Sequence, residues 1–249
     1  MRDNIIEFLY PKGTKKLFED NLPEPTSLNI PKWFKELKHT RQLRTVKGCI
    51  PFLETLTAGY ILKTPQELHL EFNVKNENDQ QDIFTRYAYQ DNSHDIQRLF
   101  LNLNSKESQS HPPEQLGPEC PFHSKNKNLP FIKILNPFAI RTPPGYSCLF
   151  VPPLNNCDDR FSIISGIVDT DSFNEEINFP IIINGDKYPT LDTVVKIGTP
   201  YVQIIPFKRD NWKMQVNELK SNKIIDRLSM LKTFLHNYKT YFWSKKKWK

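Results

Sequence analysis

The feature that most constrains the fold is a set of short apolar runs between residues 136 and 207, bounded by proline, glycine, asparagine or aspartate. Turns recur there about every ten to fifteen residues with no helical period between them, which is typical of antiparallel β structure. The runs occupy residues 146–151, 161–168, 177–183 and 201–207. We therefore predict a mainly β fold, an antiparallel β-sandwich or jelly roll or a cupin-like barrel.

Four further segments predict regular elements, and one of them alternates apolar and polar residues. Residues 68–74 place leucine, phenylalanine and valine on one face, and residues 83–89 predict the strand that returns beside them. Residues 4–10 predict a first strand, and Pro31 predicts the start of a short helix that Trp33 and Leu37 dock on the domain. We divide the chain into an N-terminal strand and helix at 1–45, a β core at 46–212 and a C-terminal segment at 213–249.

The C-terminal segment carries a helical stripe and a basic, aromatic end. The stripe predicts a long helix that packs on the β core or on a second copy of the chain. Its apolar residues recur at steps of three and four: Ile224, Leu228, Leu231, Leu235, Tyr238 and Phe242. The tail after it mixes tryptophan and tyrosine with lysines, a composition that suits either a solvated helix end or single-stranded nucleic acid.

Four motifs in the β core resemble an uncharacterised family of bacterial proteins and of hypothetical proteins from tailed marine phages of the cyanophage and pelagiphage type. They are R-T-P-P-G-Y at 141–146, P-P-L-N at 152–155, S-G-I-V-D-T-D at 165–171 and G-T-P at 198–200. The resemblance spans roughly residues 46–209 and implies a phage or bacterial origin and one compact β domain. It implies no activity.

The layout of the core is also similar to the closing half of the trimeric dUTPase and dCTP deaminase β-barrels. The shared order is a strand, S-G-x-V-D, another strand, and then G-x-P-x-x-Q-x-I, which here ends with Gln203 and Ile205. The catalytic and phosphate-binding motifs of those enzymes are not visible in this sequence. The similarity therefore bears on β topology and not on nucleotides.

Charge and composition predict a soluble, cytoplasmic protein, which means the host cytoplasm if a phage encodes it. The net charge is +6 and the pI about 9.0, with much of the excess at residues 244–249. The start of the sequence shows no apolar signal core, and no apolar run approaches the roughly 18 residues that span a bilayer. Four cysteines without a C-x-x-C pair predict reduced thiols.

Five residues of the core are candidates for binding a ligand: Arg141, Tyr146, Asp169, Asp171 and Gln203. Arg141 beside a proline turn offers a fork for a carboxylate or phosphate. Asp169 and Asp171 are two positions apart and project the same way in an extended segment. The structural alternative is that the aspartates cap a turn and that Arg141 forms an ion pair with Asp169.

A divalent metal is a second hypothesis, with His69, Glu71, His111 and His123 as candidate ligands. His69 and Glu71 share one face of the strand at 68–74. Cys120 and His123 have a spacing that zinc ligands use. The alternatives are a solvent-facing strand for the first pair and a proline-rich surface loop for the second.

The sequence contains no G-x-S-x-G, P-loop, G-x-G-x-x-G or H-E-x-x-H motif. The first function hypothesis is a phage or bacterial accessory protein whose β domain binds a small molecule or a protein partner, with self-association through the C-terminal helix. The second is a metal-dependent, cupin-like enzyme, with iron as one option. The third is single-stranded nucleic-acid binding through the tail. No membrane partner is expected.

Overall fold

The protein is described by a computed structural model that covers residues 4–17, 19–40, 42–65, 67–73, 84–90, 110–218 and 238–249. Fourteen strands lie within these residues: β1 (Glu7–Leu9), β2 (Glu24–Pro25), β3 (Tyr60–Lys63), β4 (Glu67–Asn73), β5 (Phe84–Gln90), β6 (Ser110–His111), β7 (Phe131–Ile134), β8 (Ala139–Arg141), β9 (Tyr146–Val151), β10 (Phe161–Ile163), β11 (Gly166–Val168), β12 (Phe179–Ile183), β13 (Thr190–Val195) and β14 (Pro200–Lys208).

Helices in the described residues are short. The α-helices are α1 (Lys32–Glu36), α2 (Ile50–Thr55) and α3 (Pro121–Lys125). Each has proline at its N-cap or in its first turn, where the missing N–H costs nothing. Single 3-10 turns occupy Lys15–Leu17, Glu19–Asn21, Thr26–Asn29, Val46–Gly48 and Pro113–Leu116, and a π-helical turn occupies Tyr238–Phe242.

The strands form four antiparallel sheets. The largest has the order β11-β9-β14-β3-β2, and the next has β10-β12-β7-β6. A three-stranded sheet has the order β13-β4-β5, and β1 pairs with β8. Most neighbours are distant in sequence, so the sheets join the N-terminal strands to the core. The prediction of a mainly β, antiparallel fold is confirmed.

The larger of two buried apolar clusters in the described residues draws side chains from all four sheets. Leu62 of β3, Leu70 of β4, Ile134 of β7, Phe150 of β9 and Ile181 of β12 belong to a single buried cluster. Aromatic rings from two sheets meet within it, with the ring centroids of Phe150 and Phe179 5.4 Å apart and tilted by 45°. Burial of this shared interior is the main force that holds the sheets together.

The run at 161–168 is two strands rather than one. β10 pairs with β12 in one sheet and β11 pairs with β9 in another, so the chain changes sheets at Ile164 and Ser165. The Ile164 N–H still donates to the Pro180 carbonyl at 2.9 Å. An apolar run cannot reveal this break, because its residues suit a strand in either sheet.

The short helix after Pro31 has the predicted position but a different anchor. Phe34 is buried and stacks on Phe52 of α2, with ring centroids 5.8 Å apart. Trp33 contacts both rings edge-on from a half-exposed position. Phe34 therefore provides the main packing that the sequence assigned to Trp33 and Leu37.

Most of the predicted C-terminal helix lies outside the described residues, including Ile224, Leu228, Leu231 and Leu235. The last two stripe residues, Tyr238 and Phe242, lie in the π-helical turn, and residues 243–249 follow without regular secondary structure. In the part of the chain that is described, no helix has the length and apolar character needed to cross a bilayer.

Candidate ligand-binding cleft

A cleft of about 650 Å³ lies where five separate parts of the chain meet. Its walls come from the N-terminal segment, the start of β3, the turn before β9, the end of β14 and the C-terminal tail. The lining residues are Asn4, Ile5, Ile6, Tyr60, Thr142, Pro143, Tyr146, Pro206, Lys247, Trp248 and Lys249.

Tyr146 forms one wall of the cleft because a tight turn places it there. Gly145 has a φ of +84°, a conformation that glycine adopts without strain, and the Tyr146 N–H donates to the Pro143 carbonyl at 3.2 Å. The Tyr146 hydroxyl accepts a hydrogen bond of 2.8 Å from Asn4 Nδ2. The N-terminal segment and the first residue of β9 are therefore tied together across the cleft.

Tyr60 forms the opposite wall, at the start of β3. Its ring lies edge-on to Phe8, at 5.7 Å between centroids, and edge-on to Trp248, at 6.1 Å. Burial, together with the nearby Cys148, raises the pKa of Tyr60, so its hydroxyl stays protonated at neutral pH. That hydroxyl donates to the main-chain oxygen of Lys249 at 3.3 Å.

The C-terminal tail closes the cleft and is held in place by Glu54 of α2. Trp243 Nε1 donates to Glu54 Oε1 at 2.7 Å, and Lys246 Nζ donates to Glu54 Oε2 at 2.6 Å. Partial burial opposes the Glu54 charge, but the hydrogen bonds from Lys246 and Trp243 outweigh it and lower the pKa of Glu54. We call this set of contacts the Glu54 latch.

A second polar cluster lies at the other side of Gly145, around Arg209. The Arg209 guanidinium makes two hydrogen bonds to the Asp171 carboxylate, approaches Asp169 Oδ1 at 3.1 Å and donates to Ser147 Oγ at 3.3 Å. The Gly145 N–H donates to Asp171 Oδ2 at 2.8 Å. We call Arg209 with these two carboxylates the Arg209 clamp.

The clamp keeps both carboxylates ionised. The Arg209 hydrogen bonds, followed by the Gly145 N–H, lower the pKa of Asp171. The hydrogen bond from Ser147, followed by that from Arg209, lowers the pKa of Asp169. Asp171 is the more enclosed of the two, with 9% of its side chain exposed.

Arg141 does not pair with Asp169, so the ion pair that the sequence predicted is wrong. β8 pairs with β1 in a register that places Arg141 opposite Glu7, and its Nη1 lies 4.0 Å from Glu7 Oε2. Arg209 holds Asp169 instead. No local signal identified Arg209, because it follows the last residue of β14 in a polar stretch of ordinary composition.

Gln203 is fully buried and makes three hydrogen bonds within the protein. Its Oε1 accepts from the Leu154 N–H at 2.8 Å, and its Nε2 donates to the carbonyls of Thr55, at 2.9 Å, and Ala58, at 2.7 Å. Gln203 thus joins β14 to the loop after β9 and to the end of α2. Of the five predicted ligand-binding residues, Tyr146 is the one that lines the cleft.

The predicted metal ligands lie in different places. His69 Nε2 is 2.5 Å from Asp192 Oδ1 on β13, and Glu71 lies two residues further along β4. His111 Nδ1 is 2.8 Å from Gln115 Oε1, and its ring stacks on Phe131. His123 lies on α3, one turn after Cys120 at the N-cap of that helix. Across the described ranges, no three His, Cys, Asp or Glu side chains form a group that could hold a metal ion.

Cys148 is buried behind the cleft residue Thr142, and its thiol is unreactive. Burial raises its pKa to about 11, against a smaller opposite effect of the Thr170 hydroxyl, which donates to Cys148 Sγ at 3.3 Å. Thr170 also shares a hydrogen bond of 2.7 Å with Thr142. A thiol with this pKa stays protonated at neutral pH and is a poor nucleophile.

Comparisons with known proteins leave the site to be interpreted from its geometry. No family model matches this chain, and no curated protein matches it significantly. The resemblance to the family of phage and bacterial proteins therefore stays a prediction.

We predict that Gln203→Met destabilises the protein by about 2 to 4 kcal/mol. The change keeps the side-chain volume, but it leaves the Leu154 N–H and the carbonyls of Thr55 and Ala58 buried without partners. Urea unfolding followed by circular dichroism measures the effect. Gln42→Met, at an exposed position, is the matched control and should lie within about 0.5 kcal/mol of the unchanged protein. Equal stability of both variants would contradict the structural role of Gln203.

We predict that Asp171→Asn lowers the urea midpoint at pH 7 more than Asp169→Asn, because Asp171 takes two guanidinium bonds and the Gly145 N–H. Both carboxylates have pKa values below the ordinary 3.8. Their contribution is therefore complete above that pH and is lost as the pH falls through the lowered values. The variants should converge with the unchanged protein in acid. Asp210→Asn, beside the clamp, serves as the control, and an equal loss in all three variants would refute the ranking.

Proposed function

We propose that the protein is a non-catalytic accessory protein that binds a small anionic ligand with an apolar ring in the cleft between Tyr60, Tyr146 and Trp248. In this proposal the four sheets form a sandwich or jelly-roll-like domain around their shared core. The protein acts in the cytoplasm, or in the host cytoplasm if the resemblance to phage proteins reflects its origin. The observation that carries the proposal is the combination of aromatic rings and lysines in one cleft.

The size and lining of the cleft support this ligand class. Ligand cavities in proteins are usually about 300 to 1,000 Å³ and are rich in aromatic side chains, and this cleft has a volume of about 650 Å³. Tyr60 and Trp248 offer ring edges and faces, and an aromatic pair contributes about 0.5 to 1.5 kcal/mol beyond the area it buries.

The positive charge of two lysines in the cleft favours an anionic ligand. Lys247 and Lys249 both line the cleft, and both are exposed enough to turn toward a ligand. Asn4 adds a neutral hydrogen-bonding group to the same walls. An ammonium group binds phosphate or carboxylate as a point charge, so it favours the sign of the ligand more than a particular geometry.

The same contacts weaken the nucleic-acid hypothesis. Trp243 and Lys246 are already bound to Glu54, and Trp248 contacts Tyr60. A nucleic acid that used these side chains would have to break the Glu54 latch first. A small ligand fits beside the docked tail, and we therefore retain it as the proposal.

Phenyl phosphate is the simplest probe that combines a ring with an anion. We expect it to bind more tightly than either inorganic phosphate or phenol in isothermal titration calorimetry, because each fragment meets part of the cleft. Trp248→Ala and Lys247→Gln should each weaken binding about threefold or more, as expected for a ring contact or a partly exposed ion pair. Lys245→Gln, in the same tail but outside the cleft, should leave binding unchanged.

Either of two results would overturn the proposal. One is phenyl phosphate binding no more tightly than inorganic phosphate. The other is an equal effect of Lys245→Gln and Lys247→Gln, which would indicate general attraction to the basic tail.

The Glu54 latch makes a separate prediction. The docked tail lowers the pKa of Glu54 below its ordinary 4.5, so docking is fully supported above that pH and is lost as the pH falls through the lowered value. The Trp243 indole N–H signal in a 1H–15N spectrum should then move toward its solvent-exposed position in acid. Glu54→Gln, which keeps an acceptor but removes the charge, should show a partly released tail already at pH 7. Glu7→Gln is the matched control, and a Trp243 signal that ignores both pH and Glu54→Gln would rule out the latch.

A further inference from the structure

The chain that leaves β14 carries three apolar side chains that nothing in the described structure covers. We call residues 210–218 the arm. Trp212, Met214 and Val216 are 91%, 87% and 88% exposed, and they alternate with Lys213, Gln215 and Asn217. In an extended chain a spacing of two places the apolar side chains on one face. A single exposed apolar residue is ordinary, but a contiguous apolar ribbon marks an interaction site.

A matching apolar surface lies on the five-stranded sheet of the same chain. The register places Ile205 of β14 opposite Leu149 of β9, and Leu149 opposite Ile167 of β11. These three side chains form a row on the face turned away from the core, because their neighbours Ile204 and Phe150 point inward and are buried. We call the row, with Phe207 beside it, the outer face: Leu149, Ile167, Ile205 and Phe207.

The outer face is only partly covered. Ile167 is 64% exposed at the sheet edge, and Phe207 is 37% exposed. Leu149 and Ile205 are partly buried between them. The core covers one face of this sheet, and on the other face α2 covers Gln203 but leaves Ile167 and Phe207 exposed. Apolar side chains on such a face favour a further cover.

The Arg209 clamp fixes the direction in which the arm leaves. The Arg209 N–H donates to the Gly145 carbonyl at 2.8 Å, while its guanidinium is held by Asp169 and Asp171. The arm therefore projects from an anchored base. Trp212 does not pack on the sheet of its own chain and is almost fully exposed. Nine extended residues reach about 30 Å, well past the width of three strands.

We propose that the arm of one copy packs on the outer face of a second copy, and that the exchange is reciprocal. Both surfaces belong to the same chain, so a two-fold arrangement covers both arms and both faces at once and then closes. One arm removes on the order of 400 to 500 Å² of its own side-chain surface from water, since a large aromatic alone buries 150 to 250 Å². Two arms with the faces they cover come to roughly 1,800 Å² in total, within the range of stable interfaces.

The test is the oligomeric state of the full chain, measured by sedimentation velocity over a concentration series. We expect the unchanged protein to dimerise. Replacing Trp212, Met214 and Val216 by serine should raise the dimer dissociation constant at least tenfold, and Ile167→Lys should do the same from the other side of the contact. Serine at Lys213, Gln215 and Asn217 is the matched control and should leave the dimer intact.

Complementation tests the pairing itself. A mixture of the arm variant and Ile167→Lys retains one intact arm and one intact face, so we expect a weak heterodimer where each variant alone is monomeric. Circular dichroism and thermal unfolding confirm that each variant is folded, which is expected because the changed positions are exposed.

Three outcomes would overturn the proposal. They are an unchanged protein that stays monomeric at about 100 μM, a dimer that survives the arm variant, and a polar-face control that dissociates as readily as the arm variant. A monomer whose Trp212 fluorescence is blue-shifted would show that the arm folds onto its own chain instead.

Discussion

The structure depends on β14, which pairs with β9 along one edge and with β3 along the other. Its inward residues Val202 and Ile204 are completely buried in the shared core. Its outward residue Gln203 is equally buried, because the loop after β9 and the end of α2 close over that end of the strand. Backbone pairing on both edges, the core on one face and the cover over Gln203 on the other make β14 the element against which the others are positioned.

The turn between α2 and β3 shows how tightly this packing is set. Gly59 has a φ of +69°, and a Cβ at this position would lie 1.9 Å from the Ile204 carbonyl oxygen. Only glycine fits so close to another backbone. The next residue, Tyr60, is thereby placed at the cleft, so the distance between the α2 loop and β14 determines one wall of the candidate site.

The sequence predicted those parts of the fold that local chemistry decides. The strand at 146–151 begins after a proline–glycine turn and ends at two prolines, and both signals act within a few residues of the strand. The partner of Arg141 could not be predicted in this way. Its neighbour Glu7 is set by the register of β1 on β8, and that register joins residues at least 130 positions apart. Pairing of this kind depends on the whole sheet arrangement.

The same distinction applies to the candidate site. Gln203 is a candidate ligand-binding residue by sequence, and in the structure it lies fully buried within the apolar strand β14. Its role as a connector came from the loop at Thr55 and Ala58, which no pattern near Gln203 indicates. The cleft likewise combines Asn4, Tyr146 and Trp248 from the two ends and the middle of the chain. A sequence gives the chemical character of each wall but not the fact that the walls meet.

The two faces of β14 lead to different surfaces, because successive side chains of a strand point to opposite faces. Pro206 points inward and lines the cleft, while Phe207 points outward beside Ile205. Ligand binding beside the docked tail and burial of the outer face therefore involve opposite sides of one strand. The Arg209 clamp lies where these sides meet, since Asp171 binds both Arg209 and the Gly145 N–H that precedes Tyr146. A change that loosened the clamp would therefore move the base of the arm and the Tyr146 wall of the cleft together. The ligand cleft and the arm would then be coupled through the backbone, without any contact between the ligand and the partner.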